Sequence, residues 1–300
     1  MLAMLLIATL LYLQPMVTNA LAEGALTVES AYPSLATGVL QSAVLAEMDK
    51  GTLLKGDGVE VQASFADKTL GQVKPEIRKQ LEKSMFFLLE QEAVRELIRQ
   101  DAMTMGISMD QSEKEVGKNY VDRLTKRVKT NEAEVRAFYD KNKGMLGGMP
   151  FDQVKENIEK FLLYQKKQGF MDAHIKVLGK KSHIRLNRDW VKKQSRLALD
   201  NPVDQARISG KPTMAEFGAS GCVPCDMMQP VLERLRKKYP DQLNVVFVQV
   251  RENQLLAARF GIRAIPVQVF YDAKGKEVFR HNGFYAEEDV VKQLKKLGVE

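Results

Sequence analysis

The sequence predicts an α+β chain of two domains, an all-α N-terminal region followed by a smaller α/β domain. Three observations predict it. Apolar residues recur at helical spacing through most of residues 75–178. Strand-like and helix-like segments alternate from Lys211 onward. Turn residues (Asp200-Asn201-Pro202, then Ser209-Gly210) separate the two patterns. The boundaries that follow are a leader at 1–22, a helical region at 23–195, a linker at 196–210 and the α/β domain at 211–300.

The leader carries no charge. An apolar run from Leu2 to Leu13 precedes Pro15 and the small-residue pattern Ala20-Leu21-Ala22. This reads as a secretory signal cleaved before Glu23, which places the protein outside the cytoplasm and, for a bacterium, in the periplasm. No Lys or Arg precedes the run, so retention as an uncleaved anchor stays open. No cysteine follows it to take a lipid.

In the helical region Pro75 sits at a helix start, where its missing N–H costs nothing. Ile77, Leu81, Met85, Leu88, Ile98 and Met105 form its stripe, and Gly106 closes it. A second helix carries Val116, Tyr120, Val121, Leu124 and Val128. A third begins at Asn131 with Glu134 three residues on, a capping box. Gly147-Gly148 and Pro150 break the chain, and the stripe resumes from Phe151 to Leu178. Residues 53–61 fit a small hairpin around Lys55-Gly56-Asp57-Gly58, and His183–Leu186 a short strand. Met85 reads as core, whereas Met145 and Met149, beside the glycines, fit core or an adaptable surface equally. Trp190 reads as a packing anchor.

The α/β domain runs strand (213–217), helix (222–239), strand (244–250), helix (254–260), strand (267–271), turn (272–275), strand (277–280) and helix (287–297). Only two cysteines exist in 300 residues, and they stand three apart. A chain stapled for stability uses more, with wider spacing. Two exported cysteines separated by two residues point to a redox-active pair needing no other cofactor. Zinc wants four ligands, and His174, His183 and His281 are not spaced to complete a site. A net charge of +7, about +4 before Asn201 and about +3 after it, gives no strongly basic module, which argues against nucleic acid as partner. The Lys/Arg-rich stretch from Lys160 to Arg196 reads as a solvated helix face.

Three motifs together resemble the thioredoxin family: Glu216-Phe217-Gly218-Ala219, Gly221-Cys222-Val223-Pro224-Cys225, and Gly261-Ile262-Arg263-Ala264-Ile265-Pro266. The resemblance covers the whole C-terminal domain and implies a thiol–disulfide oxidoreductase. It implies that Cys222 attacks, Cys225 resolves and Glu216 is a buried acid that takes a proton from Cys225. It also implies a cis bond before Pro266, and a substrate rim of Ile265, Pro266, Val223 and Pro224. Departures accompany it. Gly218 and Gly221 stand where tryptophans are frequent, Phe247 stands in place of a lysine near the acid, and Arg251 in place of an acidic residue. Without that lysine, Glu216 is harder to ionise.

The runs NEAEVRAFYDKNKGM, FDQVKENIEKFLLYQKKQGFMDAHIKVL and HIRLNRDW, with residues 53–107, resemble the chaperone portion of SurA- and PrsA-type exported foldases. The parvulin isomerase domain that separates such runs is lacking, so no isomerase site carries over. The resemblance implies a helical module that cradles unfolded polypeptide. Together the two resemblances imply an exported disulfide reductase of protein clients, served by a membrane thiol reductase of the CcdA or DsbD kind. The alternative is a holdase whose C-terminal domain is mainly a binding surface.

Overall fold

The computed structural model describes residues 25–35, 38–71, 73–144 and 146–300. The leader and Met145 lie outside the described residues. The chain begins with α1 (Val28–Ala31), a 3-10 turn (Val39–Ser42), β1 (Val44–Ala46), β2 (Thr52–Gly56), β3 (Val59–Gln62) and α2 (Ser64–Leu70). The long α3 (Pro75–Thr104) starts on its proline, and Gly106 follows it with φ +71. After it come α4 (Glu113–Leu124), α5 (Glu132–Asn142) and α6 (Phe151–Lys181). The Asn131 side chain accepts from Glu134 N at 2.9 Å while Glu134 accepts from Asn131 N at 3.0 Å, so the capping box fixes the start of α5. β4 (Arg185–Asn187) and α7 (Arg188–Ala198) close the region.

This region is mostly helical but not all-α. β1, β4, β2 and β3 form a four-stranded sheet in that order, with β1 parallel to β4 and the other pairs antiparallel. Phe86, Leu89, Ala93 and Leu97 on one face of α3 bury against Leu45, Leu53, Leu54 and Leu186 of the sheet. The three-residue strands β1 and β4 are too short to leave an alternation in the sequence. Trp190 packs on Phe86, ring centroids 6.5 Å apart.

The stretch expected as a linker is folded. α7 ends only at Ala198, and Pro202–Arg207 forms α8, capped by the Asn201 side chain, which accepts from Val203 N and Asp204 N. Val203 is fully buried in the second domain. The Asn201-Pro202 pair, read as a turn, is a helix start.

The second domain holds β5 (Thr213–Gly218), α9 (Val223–Lys238), β6 (Asn244–Gln249), α10 (Gln254–Arg259), β7 (Val267–Tyr271), β8 (Glu277–Asn282) and α11 (Glu287–Lys295). The strand order is β6-β5-β7-β8, with β5 parallel to β6 and the other pairs antiparallel. Every residue of β5 is buried, as a central strand covered on both faces requires. Met214 joins α9 and α11 in one core, through Met228, Leu232, Leu235, Val290 and Leu294. Ala215 and Phe217 join α8 and α10 in the other. Glu216 therefore shares Met214's face, on the α9 side.

A buried ionic cluster joins the two domains. Both oxygens of Asp204 are taken, one by Arg207 at 2.8 Å and the other by Arg259 at 2.7 Å. Both guanidinium groups also donate to the Ser34 carbonyl, ahead of the N-terminal sheet. Such a cluster holds only while complete, because removing one partner strands the others away from water.

Candidate active site

The central strand β5 delivers the chain to a tight loop, and the loop delivers two cysteines to a helix. Gly221 takes φ +76, a left-handed conformation that suits glycine, and turns the chain into Cys222. Cys222 is the N-cap residue of α9, followed by Val223 and Pro224 in the first turn. Its Sγ is bonded to that of Cys225, with Cα atoms 5.2 Å apart. The two sulfurs differ in surroundings. Cys222 is half-buried, whereas Cys225 is 1% exposed. When the bond is reduced, the unpaired N–H groups and positive end of α9 favour a Cys222 thiolate. A thiolate that reaches the surface, with a second sulfur one turn deeper, can attack an incoming disulfide and then be resolved from behind.

Glu216 lies beneath this pair, on the β5 face that α9 covers. It is fully buried, and neither carboxyl oxygen has a hydrogen-bond partner of ordinary geometry. Burial pushes its pKa up to about 8, and the amide of Gln268 offsets this in part. Gln268 is its cross-strand partner on β7 and is just as deeply buried. On the other side, β6 sets Phe247 in register with Glu216. An aromatic ring there supplies no positive charge, so the acid stays protonated near neutrality and can exchange a proton only in a narrow range around its raised pKa. Phe247 also explains Gly218. A Cβ on Gly218 would come within 3.0 Å of the Phe247 ring and 3.3 Å of Cys225 Cβ, so a side chain there would have to push the ring or the cysteine aside.

The third motif forms the loop between α10 and β7. Gly261 has φ +68, and the Ile265–Pro266 bond is cis. Pro266 is buried and Ile265 half-buried. Ile262 N donates to Ala257 O, and Pro266 O accepts from Gly283 N at 2.8 Å. Between them, Arg263, Ala264 and Ile265 make no backbone hydrogen bond among the described residues, leaving three residues of unpaired backbone at a bend. Val223 is 72% exposed and Pro224 is half-buried, so both border the surface at Cys222.

Two residues of the site escaped the sequence reading. Gln268 had a signal, a lone polar residue in the apolar strand Val267-Gln268-Val269-Phe270. Arg263 had none. Its guanidinium reaches into the helical region and donates to Gln168 and, at 3.0 Å, to Asp172 on α6.

Residues 199–298 match the model of the thioredoxin-like domain. The chain is 34% identical to a thioredoxin of Alicyclobacillus acidocaldarius over 95 residues, covering 32% of this chain and 90% of that protein. It is 38% identical to a thioredoxin of Bacillus subtilis over 73 residues, covering 23% of this chain and 70% of that protein. A solved thioredoxin of Fasciola hepatica shares 31% identity, with a TM-score of 0.27, over 29% of this chain and 82% of that one. The matched third of the sequence holds the disulfide, the buried glutamate and the cis-proline loop just described, and through it the chain belongs to the thioredoxin family.

Proposed function

We propose that the protein is an exported thiol–disulfide oxidoreductase that reduces disulfides in other proteins, with the helical region holding the client. The observation that carries this reading is the asymmetry of the Cys222–Cys225 pair, one sulfur at the surface on a helix start and one buried a turn behind it. In the reductive cycle the Cys222 thiolate attacks a client disulfide. A mixed disulfide forms and one client thiolate leaves. Cys225 gives its proton to the minority of Glu216 that is ionised, a fraction that grows as the pH approaches about 8, then attacks Cys222 Sγ and releases the second client thiolate, which restores the Cys222–Cys225 disulfide. Two electrons and two protons then return it to the dithiol. A membrane thiol reductase of the CcdA or DsbD kind is the donor class that an exported location calls for. The uncharged leader supports export, and the likeness of the helical runs to SurA- and PrsA-type foldases supports client holding.

Insulin reduction by the full chain tests the chemistry. Cys222→Ser should abolish it, and full retained activity would refute the assignment. Direction is read from the reduction potential. A value near −270 mV, on the order of thioredoxin's, fits a reductase, whereas one near −120 mV fits a disulfide donor. A second reading is a holdase with an incidental disulfide. The exposed apolar residues Ile77, Phe170 and Val177 of the helical region favour it. It requires that a full-length Cys222→Ala, Cys225→Ala double variant protect clients from aggregation yet leave their disulfides untouched.

A further inference from the structure

The long helix α6 does more than complete the N-terminal core. Phe161, Tyr164, Gln168 and Asp172 fall at i, i+3, i+7 and i+11, one stripe along the helix. The C-terminal part of that stripe is tied to the redox domain, because Gln168 and Asp172 accept from Arg263, three residues before Pro266. α5, packed beside α6 through Phe138 and Phe161 (ring centroids 5.4 Å apart), approaches the same domain at a second point. His281 on β8 has its pKa lowered chiefly by burial and further by the ammonium of Lys141, near the end of α5. The end of β8 borders the proline, since Asn282 pairs with Val267 and Gly283 N donates to Pro266 O.

Along this stripe two aromatic side chains remain uncovered. Phe161 is 38% exposed although it packs on Phe138, and Tyr164 is 54% exposed. Beside Arg263 in the redox domain, Ile262, Ala264 and Ile265, with Val250, Ala257 and Ala258, line an open cavity of about 280 Å³. The unpaired backbone of residues 263–265 offers hydrogen bonds to an extended chain.

We propose that the α5–α6 arm is the second wall of the client site: an extended, apolar segment of an unfolded, disulfide-bearing polypeptide lies between Phe161 and Tyr164 and the Ile265–Pro266 loop. This rests on the thiol–disulfide reading and adds the substrate class, unfolded segments in place of folded surfaces. Continuity with the loop selects that occupant, because Arg263, which ties the arm down through Gln168 and Asp172, belongs to the unpaired segment just before Pro266, so a chain bound there on its way to Cys222 lies beside the arm. Aromatic side chains suit varied clients, since they give large contact area with little loss of rotamer freedom and no demand for one partner.

The test uses the full chain as Cys225→Ala, loaded on Cys222 with a short unstructured peptide that contains one cysteine and flanking Leu and Phe residues. A photoreactive side chain replaces Tyr164 or, as a control, the exposed Ile77 of α3. The expected result is peptide crosslinking from position 164 well above that from position 77. Equal yields, or crosslinks from 164 to a second copy of the protein, overturn the proposal. Failure to form any mixed disulfide overturns the thiol–disulfide reading itself, and the proposal with it. In turnover, Tyr164→Ser should lower the ratio of kcat/KM on an unfolded protein disulfide to kcat/KM on a small aromatic disulfide by about fivefold, through KM. An unmoved ratio in a variant of unchanged circular dichroism overturns the proposal too.

Discussion

Glu216 shows how much one side chain's surroundings decide. It sits in a dry layer between β5 and α9, opposite Gln268 and in register with Phe247, and its carboxyl is pushed up to about 8 by desolvation. Raised in the folded state, such an acid favours folding while protonated. Its contribution is complete below the unfolded value of 4.5 and is lost as the pH rises towards about 8. The buried Glu90 of α3, which accepts from Leu40 N and is pushed up to about 7 by burial, follows the same sign but finishes earlier. Between pH 7 and 8 most of the remaining slope of this pair therefore belongs to Glu216. Denaturant titrations should show the oxidised protein losing about 1 kcal/mol more over that unit than Glu216→Gln, which keeps only the smaller loss from Glu90. Equal slopes would contradict the burial argument. This position was readable through the thioredoxin resemblance, which implies a buried acid beneath the cysteines; strand alternation by itself fits an exposed residue as well. Gln268 went unread, because the pairing of β5 with β7 spans more than fifty residues and no local pattern encodes it.

At the scale of elements, legibility followed chemical specificity. A proline at a helix start, a capping box, a left-handed glycine and a Cys-x-x-Cys each impose a local geometry, so α3, α5 and α9 could be placed from residue types alone. β4 overlaps the short strand expected at 183–186, but β1 could not be placed, since three residues carry no usable period and its pairing with β4 joins residues about 140 positions apart. α8 was misread for a different reason. Asn201-Pro202 begins a helix as readily as a turn, and only the burial of Val203 and Asp204 decides between them. What looked like a tether is the piece that carries Asp204 into the ionic cluster.

That cluster decides how the whole molecule behaves. Two arginines from the second domain, bridged by one aspartate, both hold the Ser34 carbonyl of the first. Asp204→Ala leaves two buried guanidinium groups without their counter-ion and should cost about 3–5 kcal/mol. Trp190, the sole tryptophan, reports the N-terminal core, while far-ultraviolet circular dichroism reports both domains. Their urea transitions should coincide in the natural protein and separate in Asp204→Ala. Coincident transitions in the variant at unchanged stability would show that the domains are joined by something else. A rigid join keeps the aromatic arm beside the cis-proline loop, and both serve one sulfur. The most direct test of that sulfur is the pH dependence of iodoacetamide alkylation in the reduced protein, with each cysteine followed by mass spectrometry. The account predicts that Cys222 alone is alkylated, with a midpoint well below the ordinary thiol value of about 8.5. Equal labelling of Cys222 and Cys225, or a midpoint at or above that value, would contradict it.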